Sequence, residues 1–192
     1  MRNIAVAQTI GTERDCEWNR LVSTLIVTPA NKPTASAEIE FGRFAALDRK
    51  HRGEGKPETF TFLGFTHYCG RRHKTDTFTV WRITSKQRMV AKLQAIKAEL
   101  LHRKHDRISQ VGAWLRKVVN GYYQYHAVPG NIDQLRTFRQ RVNRLWRNVL
   151  VRRSQRASMK WESLTPVFDR WIPKPRILHP YPHARFYATH PS

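Results

Sequence analysis

The side chains best equipped for chemistry in this chain are its arginines. Arg136, Arg144 and Arg147 recur at spacings that place them on one side of a helix, Arg139 lies among them, and Arg152 and Arg153 close the run. A guanidinium is planar, permanently charged and forked, so it pairs phosphate oxygens two at a time where lysine offers a point charge. Arg116 and Lys117 form a second basic group, and Arg71, Arg72 and Lys74 a third. Three tyrosines, Tyr122, Tyr123 and Tyr125, follow the second group, and a phenol ring can stack on an unpaired base. Each feature also has a plainer reading. Arg71, Arg72 and Lys74 can decorate a solvated turn, and Arg152 and Arg153 suit the negative end of a helix dipole. Tyr122 and Tyr125 share an apolar helix face, which leaves Tyr123, at its edge, as the best stacking candidate. The dipole does not account for the arginines in the middle of the run.

Other chemistries find less support. Cys16 and Cys69 make no Cys-X-X-Cys pair, so a zinc knuckle is not expected. His179 and His183 lie in the run His-Pro-Tyr-Pro-His, where prolines prevent a helical pair and no carboxylate or thiolate stands near; packing or surface histidines are the simpler reading. Ser154 and Ser158 have no His/Asp partner in their neighbourhood, so nucleophilic catalysis is not supported. No two aspartates are adjacent anywhere in the 192 residues, and two-metal transfer chemistry needs paired carboxylates. No catalytic residue, metal ligand or cofactor is therefore expected.

Charge points the same way. Lys and Arg total 35 against 14 Asp and Glu, a formal net charge of +21. Residues 1–70 hold 9 basic and 8 acidic side chains, whereas residues 71–192 hold 26 and 6. A positive excess of this size repels itself, and a polyanionic partner relieves it. The apolar run Leu21–Val27 is far short of the roughly 20 residues of a membrane span, and Glu13, Asp15 and Glu17 precede it where a signal peptide needs positive charge. A soluble cytoplasmic protein is expected, or an organellar one if the source is eukaryotic.

Residues 1–37 show no clear period and read as a poorly ordered segment. Glu38–Phe44 alternates as a strand, and residues 48–58 read as a charged, glycine-bearing loop. Thr59–Thr66 and Thr77–Ile83 are rich in aromatic and β-branched residues and predict a β-hairpin, with the basic turn Gly70–Asp76 at its tip. Apolar residues then recur every three or four positions. They predict one helix from a Ser85 cap to about Lys104, a second from about Ile108 to Ala127, and a third from about Ile132 to Arg153. A short helix or turn follows near Trp161–Trp171. Residues 172–192 carry five of the ten prolines and run extended over the helices, anchored by Trp171, Ile177, Leu178, Tyr181 and Phe186. The fold class is α+β and mostly α.

Several of these segments resemble a known family. Gly42–Arg71, with Phe62-Leu63-Gly64-Phe65 at its core, is similar to the end of the palm of group II intron reverse transcriptases. Gly112–Asn131, Phe138–Gln155 and Trp171–Phe186 resemble, in order, their thumb, also called the maturase or X domain. The resemblance covers about residues 38–190, dividing the chain into a non-matching segment 1–37, palm-end strands 38–83, a helical maturase-specific domain 84–170 and a Pro-rich tail 171–192. It implies a β-hairpin remnant of a palm followed by a three-helix bundle. It implies structured group II intron RNA as the partner, with DNA as the second candidate.

The chain departs from the family in lacking the Tyr-X-Asp-Asp loop, the fingers, most of the palm, and the Cys pairs of the terminal nuclease. The resemblance thus implies an RNA-binding maturase-type fragment rather than a polymerase. Its competitors are the C-terminal piece of a split polymerase, with palm and fingers supplied by a chain in trans, and a truncated remnant without function.

Overall fold

The apolar run Thr59–Thr66 does not form one strand; it folds back on itself at Leu63-Gly64. The computed structural model describes residues 24–27, 37–72, 76–153 and 160–180. In it, β3 (Phe60–Phe62) and β4 (Phe65–Arg71) are joined through Leu63 at φ 49° and Gly64 at φ 79°. Two consecutive positive φ angles are what a two-residue I′ hairpin turn requires. Glycine takes that conformation without penalty, and Leu63 takes it at a cost. A third strand, β5 (Phe78–Thr84), completes a sheet in the order β3-β4-β5. The basic turn is shorter than its sequence suggests, because β4 extends through Arg71 and the Arg72 N–H bonds the Thr77 carbonyl at 2.9 Å. Lys74 lies outside the described residues.

Upstream, β1 (Thr24–Val27) pairs antiparallel with β2 (Ala37–Glu40), with Thr24 opposite Glu40 and Val27 opposite Ala37. The segment 1–37, read from sequence as poorly ordered, therefore contributes a paired strand. The strand expected over Glu38–Phe44 ends at Glu40, and residues 48–51, expected in a loop, belong to helix α1 (Ala45–His51). Phe41 and Ala45 are buried and seat this turn of helix. Arg49 and Arg52 meet Glu40, Glu54 and Glu58 here, with Arg52 2.9 Å from Glu54 and Arg49 3.6 Å from Glu58. Two arginines of the near-neutral region are thus met by carboxylates close by in sequence.

The chain divides into two compact units, Met1–Phe60 with Tyr68–Val80, and Thr61–His67 with Trp81–Ser192. The second unit contains α2 (Lys86–His102), α3 (Ile108–His126), α4 (Ile132–Arg153) and α5 (Trp161–Trp171), so the mostly helical α+β class read from sequence is what the chain adopts. Helices α2, α3 and α4 bury most of the stripes their spacing predicts, although Leu101, expected on the inner face of α2, is exposed. Met89, Leu93, Ile96 and Leu100 turn inward from α2, Val111, Leu115, Val119 and Tyr122 from α3, and Leu135, Phe138, Val142, Trp146 and Val149 from α4. Leu164 and Phe168 join them from α5. The Tyr122 and Phe138 rings stack at 3.7 Å between centroids. A side chain on Gly112 would begin 2.5 Å from the Trp171 ring, so α3 and α5 approach this closely only because that position has none.

Some expected details differ. Ser85 makes no side-chain cap bond to α2; it is buried, and its N–H bonds the Gly64 carbonyl at 2.9 Å. Ile108 and Tyr125, placed on the buried face of α3 by periodicity, are exposed. The described part of the tail, residues 172–180, runs along the helices: the N–H groups of Leu178 and His179 share the Ala127 carbonyl, at 3.0 and 3.2 Å. Its deepest anchor is Ile172, fully buried, whereas Ile177 is exposed. Tyr181 and Phe186 lie outside the described residues.

One polar side chain ties three elements together. Asn131 is 0% exposed. Its Oδ1 accepts the Thr84 N–H at 2.9 Å, and its Nδ2 donates to Thr84 Oγ1 at 2.7 Å and to the His126 carbonyl at 2.8 Å. The end of β5, the end of α3 and the start of α4 are thereby fixed to one amide. Replacing Asn131 by Leu strands a buried N–H, a hydroxyl and a carbonyl, each costing about 1–3 kcal/mol when unpaired. A loss of about 3 kcal/mol in urea unfolding is expected, and a loss below about 1 kcal/mol would remove Asn131 from this role.

His126 packs against Tyr122 at 4.1 Å and Phe65 at 5.4 Å between ring centroids. Burial pushes its pKa below the ordinary 6.5, and burial followed by the Arg82 charge does the same for His67. The unfolded chain therefore binds more protons than the folded one in this range. Stability is full above about pH 6.5, falls as pH drops from there toward the depressed folded values, and levels off below them. Urea midpoints measured between neutral and mildly acidic pH should show this slope, and His126→Gln should remove part of it. A flat wild-type profile would contradict the assignment.

Candidate nucleic-acid interface

Helix α4 is a single uninterrupted element of 22 residues whose inward stripe is fully packed. Its outward arc is therefore fixed in direction. Arg136, Arg144 and Arg152 are exposed along it, and so is Arg141, which was not singled out from the sequence; Arg153 is exposed at the last turn, at the angle of the inward stripe. Arg136 and Arg144 stand about 12 Å apart along the axis, at about 1.5 Å per residue. Arg136 is held by Asp133 at 2.8 Å, an exposed pair at the first turn. Such a pair is worth little and yields readily to a phosphate. Among the described residues, Arg141, Arg144, Arg152 and Arg153 have no carboxylate partner. Arg147 is half-buried, with its guanidinium carbon 5.8 Å from the centre of the Trp161 ring.

Three residues expected at the interface are engaged within the fold. Arg139 is mostly buried; it pairs with Asp169 at 2.6 Å and donates to the Ile172 carbonyl at 3.2 Å, stapling α4 to the end of α5. Arg116 donates to the Arg170 and Trp171 carbonyls and lies over the Trp171 ring at 5.1 Å. It neutralises the exposed carbonyl end of α5, a role that suits a cation there. Tyr123 is 3% exposed and its hydroxyl donates to the Pro173 carbonyl at 3.3 Å, so the tail covers the ring expected to stack. Burial holds its phenol well above the ordinary range and pushes that of Tyr122 up to about 12. The exposed tyrosine is Tyr125, at 51%. Its hydroxyl donates to the Leu63 carbonyl at 2.6 Å and its ring stacks on Phe65 at 5.6 Å.

The two remaining basic groups are dispersed. Lys117 is exposed and faces Arg88 and Lys92 across an open groove of about 730 Å³ between α2 and α3, floored by Ala91, Ala95 and Gly121. Arg71 is exposed but pairs with Asp76 at 2.5 Å, and Arg72 is half-buried. Both belong to the first unit.

Among the described residues, no group of three or more His, Cys, Asp or Glu side chains could hold a metal ion. His179 packs on α3, with its Nε2 2.6 Å from the Gln124 carbonyl. Burial pushes the Cys69 thiol up, away from the reactive thiolate. Cys16, Ser154, Ser158 and His183 lie outside the described residues. No helix among the described residues is long and apolar enough to cross a membrane. No protein-family model, curated protein or solved structure matches the chain.

Proposed function

We propose that this chain binds structured RNA through the outward face of α4, in the manner of a maturase-type protein that assists the folding of an intron. The observation that carries the reading is a line of exposed arginines on one rigid, fully backed helix, within a region of 26 basic and 6 acidic residues. Guanidiniums so placed contact phosphates along a folded transcript, recognising its shape more than its base sequence. The resemblance of Gly112–Asn131 and Phe138–Gln155 to a maturase thumb supports intron RNA as the class of ligand. Binding rather than catalysis is the proposed activity, and a palm and fingers chain is not required for it.

The test is a salt titration with the purified chain and a folded group II intron domain. Log affinity should fall linearly with log salt, with a slope of about −0.7 to −0.9 for each phosphate contacted. Duplex DNA of matched length should bind more weakly. Binding that ignores salt, or no binding to folded RNA at low salt, would overturn the proposal.

A further inference from the structure

At the edge of the arginine face, α4 and α5 line a cleft of about 490 Å³, within the range of about 300–1,000 Å³ typical of pockets for small organic groups. Phe168, fully buried, forms its base. Trp161, 40% exposed, stands beside it with the two ring centres 5.6 Å apart. The α4 wall carries Gln140, Asn143 and Arg144, and Thr165 faces them from α5. Asn143 is 6% exposed, and its Oδ1 has no hydrogen-bond partner among the described residues. A buried acceptor left without a donor is uncommon in a folded protein and calls for a group that completes it. Thr165 donates to the Trp161 carbonyl at 3.1 Å, which leaves its oxygen free to accept. The Arg139–Asp169 pair closes one end of the cleft.

We infer that this cleft receives an unpaired RNA base turned out of a helix. The inference rests on the RNA-binding reading above and specifies what that surface recognises. An indole face offers stacking to any base. The amides of Asn143 and Gln140 together provide donors and acceptors for a base edge. Arg144, exposed at the rim, meets the phosphate that accompanies the base. The result is a surface that reads a bulge or loop, the places where RNA exposes base edges that a continuous duplex hides.

The test uses the full chain and two short RNA hairpins, one fully paired and one carrying a single bulged 2-aminopurine. The wild type should bind the bulged hairpin about tenfold more tightly, the value of one base stacked on an aromatic ring, and should quench the fluorophore. Trp161→Ala should bring the ratio of the two affinities close to one and abolish the quench. Asn143→Leu removes the buried acceptor with an apolar side chain of similar size and should reduce the ratio even if Trp161→Ala fails to fold. Equal wild-type affinity for both hairpins, without quenching, would refute the cleft while leaving the arginine face intact. Salt-independent or absent binding to both hairpins would remove the RNA reading and the cleft with it.

Discussion

Replacing Trp146 by Ala should lower the unfolding free energy by about 3–5 kcal/mol, the usual loss when a buried indole is truncated in a packed core. Trp146 is 1% exposed and lies at the inner stripe of α4, with its ring 5.5 Å from that of Phe168 on α5. The cavity left behind could not be filled cheaply, because its neighbours Val142 and Leu150 are themselves buried and held by the helix backbone. Urea unfolding followed by far-ultraviolet circular dichroism measures the loss, and Trp146→Phe should recover part of it. A change below about 1 kcal/mol would mean that the ring is not part of the core. The consequence reaches function: α4 owes its fixed direction to this stripe, so a loosened core also disperses the arginines on its other side.

The second large effect concerns those arginines. Reversing charge at Arg136, Arg141 and Arg144 together should weaken binding to folded RNA on the order of a hundredfold and lower the salt slope by about 2–3, roughly 0.7–0.9 for each phosphate that no longer meets a guanidinium. Arg147 is left out of the set because it is half-buried beside Trp161 and its replacement would confound packing with binding. The three chosen side chains are exposed, and the Arg136–Asp133 pair broken by the change is a surface pair of small worth. The melting curve should therefore stay close to that of the wild type. Retained affinity in the folded triple variant would move the binding surface to the groove of Lys117, Arg88 and Lys92. A matching triple variant at Arg88, Lys92 and Lys117 tests that alternative.

The contrast between the two units bears on both experiments. Around α1 the arginines are consumed by nearby carboxylates, with Arg52 2.5 Å from Glu40 and Arg49 3.6 Å from Glu58. Near α4 carboxylates are scarce: Asp133 on α4 pairs with Arg136 at the first turn, and Asp169 on α5 holds Arg139 in place. Charge that is not neutralised internally is available to a polyanion. Exposed apolar side chains are a separate matter. Phe62 and Leu63 at the β3–β4 turn, and Val80 on β5, remain partly exposed, and each forgoes a share of the roughly 1.5–3 kcal/mol that full burial would contribute.

The helices and the segregation of charge were legible in the order of residues alone. Periods of three and four apolar residues placed α3 and α4 to within a residue, because a helix buries one stripe whatever it packs against. The same wheel put Arg136 and Arg144 on the open side of α4, since a charged side chain on the face opposite a packed stripe has only solvent to meet. Tertiary structure alone decided the fate of Arg116, Arg139, Tyr123 and Tyr125. A helical wheel fixes a side chain's angle about its own axis but does not say what the distant chain lays against it. The carbonyls at the end of α5 claim Arg116, Asp169 claims Arg139, and the tail covers Tyr123. Tyr125 emerges at the edge of the hairpin instead, its hydroxyl bound to Leu63. The turn at Leu63-Gly64 escaped for a related reason: leucine carries no turn preference, and its positive φ is imposed by the strands on either side and by the hydroxyl of Tyr125. The cleft beside Trp161 belongs to the same category, since Asn143 and Thr165 become neighbours only when α5 docks on α4.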